Sequence, residues 1–285
     1  MPLEYTINYQ AENHYEDNVN QAHWQFLILP EENSSQQLHV YDFTNTVNAK
    51  SYLSINGFGF QTLRVHAQKP LKDAQFDFRC TVLKEEVNPY GFIPNHDVAD
   101  DYKVLDQLHF KVVHEPYLRK TTLTRLPTAH LQLYVFDQTK SIFDNLQGLN
   151  HWVYMHLHFK TGVTGVDTQL EHIIENRHGV CQDFTHLFCA IARANGVPTR
   201  YISGYLHQGN GYFGDSQMHA WAEAYVPQGE WIGFDPTNDI LVAQNHIKVA
   251  HGKDYKDCAP LKGVVHTTGK NETTHTVQVQ ASQQQ

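Results

Sequence analysis

The chain has 285 residues, enough to bury a substantial core as one large domain or two ordinary ones. With 41% apolar and 12% aromatic residues, it reads as globular rather than disordered. The net charge of -9 is spread over mixed acidic and basic residues, without the basic patch that nucleic-acid binding requires, and no run of 18 apolar residues offers a membrane span.

To about residue 125 the sequence reads as strands. Glu4–Tyr9 and Gln75–Val82 alternate, which puts one set of side chains on a core face and the other in water. Trp24–Leu29 is an apolar run that stops at Pro30, and the polar Glu31–Ser35 that follows reads as a loop. Asn56-Gly57 and Tyr90-Gly91 mark turns. Short strands with regular turn signals predict an N-terminal all-β, sandwich-like domain over residues 1-125.

The remainder, 126-285, predicts an α+β domain. Ser141 can cap a helix running toward Leu157, and Asp167 or Thr168 a short one through Ile174. The clearest helix covers Cys181–Ala194, with Phe184, Leu187, Phe188 and Ile191 at i, i+3, i+4 and i+7. Asn195-Gly196 supplies a left-handed stop, and Pro198 forbids continuation. Strands are predicted at Arg200–Leu206, His219–Val226 and Trp231–Asp235, the last two joined by a hairpin at Pro227-Gln228-Gly229. A C-terminal β-hairpin is expected over residues 263–279, turning at Gly269-Lys270-Asn271.

Four scattered cysteines without CxxC spacing fit reduced thiols and a cytoplasmic location. Met1–Tyr5 has neither the basic nor the apolar stretch of a cleaved signal peptide. The twenty histidines are dispersed and show no HExxH or zinc-type spacing, so neither a metal nor a cofactor is expected.

Cys181 opens the best helix, where unsatisfied N–H groups and partial positive charge favour thiolate, the nucleophilic form. Buried packing is the commoner fate of a cysteine. Cys189, two turns deeper in the same helix, and Cys80, on a strand beside Phe76 and Phe78, are expected to be inert packing. His219 heads a strand whose alternation puts His219, Trp221 and Glu223 on one face and three alanines on the other. With the hairpin centred on Gln228, Asp235 pairs with Trp221 and becomes the diagonal neighbour of His219. A one-residue slip would separate them. Singly, His219 reads as a structural histidine and Asp235 as an Asp-Pro turn starter. Together with Cys181 they compose a triad in which imidazole holds the thiol proton and carboxylate orients the imidazole. The backbone N–H of Cys181 is a candidate oxyanion donor.

The segment Arg177-His178-Gly179-Val180-Cys181-Gln182-Asp183-Phe184-Thr185-His186-Leu187 resembles the nucleophile segment of bacterial transglutaminase-like proteins. Pro198–Tyr205, His219-Ala220-Trp221-Ala222-Glu223 and Trp231–Asn238 continue that pattern in order, over roughly residues 135–265. The resemblance implies a papain-like α+β catalytic domain with Cys181, His219 and Asp235 as the catalytic residues, and a peptide or protein substrate attacked through a thioester. It also implies an accompanying N-terminal β region; the sequence has no calcium-site pattern like that of animal transglutaminases, so calcium dependence is not implied. The expected activity is amide hydrolysis by a cysteine protease or amidase. Protein-glutamine transglutaminase activity, a non-catalytic peptide-binding scaffold and a histidine-rich metal protein stand as alternatives.

Overall fold

The computed structural model describes residues 2–91, 98–207, 217–227, 229–267 and 269–282. Six strands come first: β1 (Leu3–Val19), β2 (Ala22–Phe26), β3 (Gln36–Asn45), β4 (Ser51–Ile55), β5 (Gln61–Ala67) and β6 (Leu71–Lys84). Three short helices follow, α1 (Val98–Asp106), α2 (Leu108–Val113) and α3 (Glu115–Leu118). Next come α4 (Ile142–His156), β7 (His158–Phe159), α5 (Leu170–Asn176), β8 (His178–Gly179) and α6 (Cys181–Ala194). Then come β9 (Thr199–Leu206), β10 (His219–Val226), β11 (Glu230–Asp235), β12 (Ile240–Leu241) and β13 (His246–Gly252). The chain ends on α7 (Tyr255–Cys258), β14 (Leu261–Val265) and β15 (Asn271–Ser282).

Alternation builds the N-terminal sheets. In β1, Tyr5, Ile7, Tyr9 and Ala11 are buried while Gln10, Glu12 and His14 face water. Two four-stranded sheets result, ordered β15-β1-β6-β3 and β14-β2-β5-β4. Their dry faces meet through aromatic pairs. Phe76 of the first sheet lies 5.0 Å from Trp24 and 4.8 Å from Phe26 of the second, ring centre to ring centre. This is the sandwich that the sequence predicts.

Two expectations need correcting. Strands do not run to residue 125: the last N-terminal strand ends at Lys84, and the α+β region begins with α1 at Val98. In α1, positions 98, 101, 102 and 105 form the more buried stripe, which is helical spacing. Nor do the two terminal strands form a hairpin with each other. β14 pairs antiparallel with β2, and β15 pairs with β1 from Glu4↔Ser282 to Tyr15↔Asn271. β1 alternates over most of its length and offers β15 a dozen ladder positions, so each C-terminal strand completes a different sheet.

The second region is built around α6. Its predicted bounds are met, but the helix is buried nearly all round rather than on one stripe. It lies against α4, α5, β9 and β10. The buried Arg193 near its end donates to the carbonyls of Thr199, Arg119 and Lys253 and to Thr124 Oγ1, so one guanidinium satisfies four acceptors from separate segments. The five-stranded sheet runs β12-β11-β10-β9-β13. Ser141 caps α4 as expected, accepting from the Asp144 N–H at 3.0 Å. Neither Asp167 nor Thr168 caps α5, whose N-cap residue is Gln169. Among the described residues no helix is long and apolar enough to cross a membrane.

Candidate active site

The helix that carries Cys181 starts abruptly, for identifiable reasons. The parallel bridge of β7 with β8 holds the chain extended up to Gly179. Val180 is the N-cap residue, and its apolar side chain cannot accept a hydrogen bond. The reciprocal half of the cap comes from Asp183, whose Oδ2 accepts from Val180 N at 2.8 Å and from Thr164 Oγ1 at 2.6 Å. Burial pushes the Asp183 carboxyl up, and these two hydrogen bonds oppose that. Gly179 makes the room: a Cβ there would stand 2.5 Å from that same oxygen. Cys181 therefore occupies the first helical position, where the helix's own N–H groups have no intrahelical acceptor.

The three sequence-derived residues are brought together. β10 and β11 pair as Tyr225↔Trp231 and Ala222↔Phe234, the register that puts Asp235 opposite Trp221. The turn residue Gln228 itself lies outside the described residues. His219 Nε2 and Asp235 Oδ2 are 2.8 Å apart, and both side chains are fully buried. Cys181 is close enough to the imidazole to act on its pKa. Asp235 takes Nε2, and Nδ1, the imidazole nitrogen left over, has no hydrogen-bond partner among the described residues. Burial by itself would lower the His219 pKa, but the Asp235 carboxylate outweighs it and, with Cys181, raises it to about 10. Asp235 shows the mirror effect: burial works to raise it, and the His219 charge and hydrogen bonds hold it well below the carboxylate range. Each group thus favours the charged form of the other.

Sequence reasoning missed the rest of the Asp235 shell. Thr237 N donates to Oδ1 at 3.0 Å and Asn238 Nδ2 to Oδ2 at 2.8 Å. These two lie two and three residues after Asp235, so an Asx-type turn was a readable signal. His246 Nε2 also reaches Oδ2, at 3.2 Å. It was one histidine among twenty, with no local signal.

His219, Asp235 and His246 are also a set of donors that could surround a metal ion. Zinc bonds of about 2.0–2.1 Å at tetrahedral angles would hold ligand atoms about 3.3 Å apart. His219 Nε2 and Asp235 Oδ2 are at 2.8 Å, a hydrogen-bond spacing. The His219–Asp235 spacing is therefore that of a hydrogen bond rather than of two ligands on a tetrahedral zinc.

The other thiols serve as internal controls. Cys80, Cys189 and Cys258 are buried, and Cys181 alone is partly exposed. Burial pushes the Cys80 thiol up to about 12 and Cys189 to about 11, and it raises Cys258 well above the ordinary range. Three cysteines are therefore protonated packing, as expected for Cys80 and Cys189.

A helix-start thiol thus stands on the same α+β scaffold as a buried imidazole–carboxylate pair. Residues 131–236, which contain all three side chains, match the Transglutaminase-like superfamily. An uncharacterized protein of Mycobacterium tuberculosis is 38% identical over 145 residues, 48% of this chain and 46% of that protein. A protein-glutamine gamma-glutamyltransferase of Pseudomonas aeruginosa is 30% identical over 101 residues, 33% of this chain and 15% of that protein. This chain spans about half the length of the mycobacterial relatives it matches. A solved protein from Cytophaga hutchinsonii, described as a candidate cysteine protease, superposes with a TM-score of 0.78 at 20% identity. That match covers 100% of this chain and 92% of the other, so the fold is shared from the sandwich through the core.

Proposed function

We propose that the protein is a thiol-dependent acyl-transfer enzyme acting on amide bonds of peptides or proteins, with Cys181 as nucleophile, His219 as acid–base and Asp235 as orienter. The observation that carries this reading is the buried His219–Asp235 pair beside the one thiol that is not packed away. Such an ion pair is expensive to bury and adds little to stability beyond what apolar packing would supply, so a chemical role is the economical explanation.

Cys181 sulfur attacks the amide carbonyl carbon, and the electron pair of the C=O bond moves to oxygen. The Cys181 backbone N–H, at the helix start, is the candidate donor to that oxyanion. Collapse expels the amine, which takes its proton from His219 Nδ1 and leaves a thioester on Cys181. Water, deprotonated by the same nitrogen, then attacks the thioester, releasing the carboxylic acid and the thiol.

Hydrolysis is the favoured outcome, in keeping with the description of the Cytophaga protein. The Pseudomonas relative's name supports transfer to an amine as the second reading. Incubation with a peptide library, with and without a primary amine, separates them by mass. Cleaved or deamidated products are expected in both mixtures, and amine conjugates in place of them would favour transfer. Products unchanged in a Cys181→Ala protein would sink both.

A further inference from the structure

We propose that His246 is a positioning residue for the acyl-transfer centre: its Nε2–H fixes the Asp235 oxygen that holds His219. The inference rests on the triad reading above and extends it to a strand outside the triad.

The topology brings His246 in from far away. β12 lies at one edge of the five-stranded sheet and β13 at the other, so residues 242–245 must cross from edge to edge. That crossing delivers His246, the first residue of β13, to Asp235 at the end of β11. The neighbouring β9 position opposite His219 is Gly204, where a Cβ would meet the Ile247 carbonyl oxygen and the Trp221 ring. With no side chain there, Trp221 packs edge-on to the His246 ring, 5.2 Å between centres.

Packing alone does not account for an imidazole here. His246 is 2% exposed, and its Nδ1 is buried without a partner, which a phenyl or isobutyl group would avoid. Its one hydrogen bond goes to the oxygen that His219 uses. The titratable or charged groups acting on it are Asp235, His219 and Lys84. Burial lowers its pKa more than Asp235 raises it, so the ring is neutral. With Nε2 donating to the carboxylate, Nδ1 is left without its proton. Oδ2 thus takes three donors and Oδ1 one, leaving the carboxylate no freedom to rotate away from His219.

The reach of the donor makes the idea testable. Gln puts an N–H near the place of Nε2, while Asn reaches only that of Nδ1. The readout is the pH dependence of Cys181 alkylation by iodoacetamide, mapped by mass spectrometry in protein shown to be folded by circular dichroism. Wild-type Cys181 reacting no faster than Cys189 would count against the triad itself, independently of His246. Given a fast wild type, His246→Gln should stay within about 2-fold at pH 6. His246→Asn and His246→Phe should slow about 10-fold at pH 6, with the midpoint moved toward that of a free thiol. Should His246→Phe not fold, His246→Asn carries the test. Asn matching wild type in rate and midpoint, or Gln as impaired as Asn, overturns the proposal.

Discussion

The two halves of this molecule bury different things. The sandwich buries mainly aromatic and aliphatic side chains such as Tyr5, Trp24, Phe26, Phe76 and Phe78, with Asn13, Gln36, Thr62 and Lys84 as its buried polar groups. The region around α6 buries Asp183, His186, Arg193, His219, Asp235 and His246 as well. Burying a polar or charged group costs free energy unless every partner is supplied, so the first half spends its sequence on stability and the second on an electrostatic arrangement. The difference teaches where a mutation should read out: as stability in the sandwich, as rate around α6.

The largest contrast should come from Cys181→Ala. It removes the nucleophile and should abolish turnover while circular dichroism and the melting temperature stay near wild type; turnover near the wild-type rate would remove the basis of the functional reading. Asp235→Asn comes next. It keeps the shape but removes the charge, and kcat should fall about 10²–10⁴-fold. It should also flatten the pH dependence of stability. The raised His219 pKa stabilises the fold fully below the unfolded value of about 6.5, and that contribution is lost as pH rises toward about 10. The lowered Asp235 pKa stabilises above about 4 and is lost as pH falls. Melting curves from pH 4 to 10 should therefore slope less in Asp235→Asn than in wild type above pH 6.5, and equal slopes would contradict the ion pair.

In the sandwich, Phe76→Ala should cost about 3–5 kcal/mol in chemical denaturation with kcat per folded molecule unchanged. A proportionate loss of kcat would mean that the halves are coupled more tightly than their contents imply. The smallest effect belongs to Cys189→Ala, buried in the same helix as the nucleophile. It should cost about 1 kcal/mol and leave kcat alone.

The proposed triad was legible because each member carries a local mark: a glycine and a helix start for Cys181, a strand head for His219, an Asp-Pro strand end for Asp235. The register was legible because the Pro-Gln-Gly turn fixes it within a few residues. His246 carried no such mark, since its partner is reached only by a crossing of the whole sheet. The pairing of β15 with β1 was invisible for a related reason. Asn271 and Tyr15 stand opposite each other across some 250 positions of chain, and alternation says which face is dry without saying which strand is beside it. The helices at 98–118 differ again: each is short, so helical spacing shows over only a turn or two of sequence beside the strands.

That closure of both sheets by β14 and β15 bears on how the molecule comes into being. A chain emerging from the ribosome presents β1 and β2 early, with their outer ladders unmade and apolar faces such as Tyr5–Ile7–Tyr9 already formed by alternation. Their final partners arrive only after the entire thiol-bearing core has been synthesised. Contacts so distant in sequence form slowly, and open strand edges invite pairing with other molecules in the meantime. In nascent copies β1 and β2 therefore wait longer for these partners than the strands of the five-stranded sheet wait for theirs.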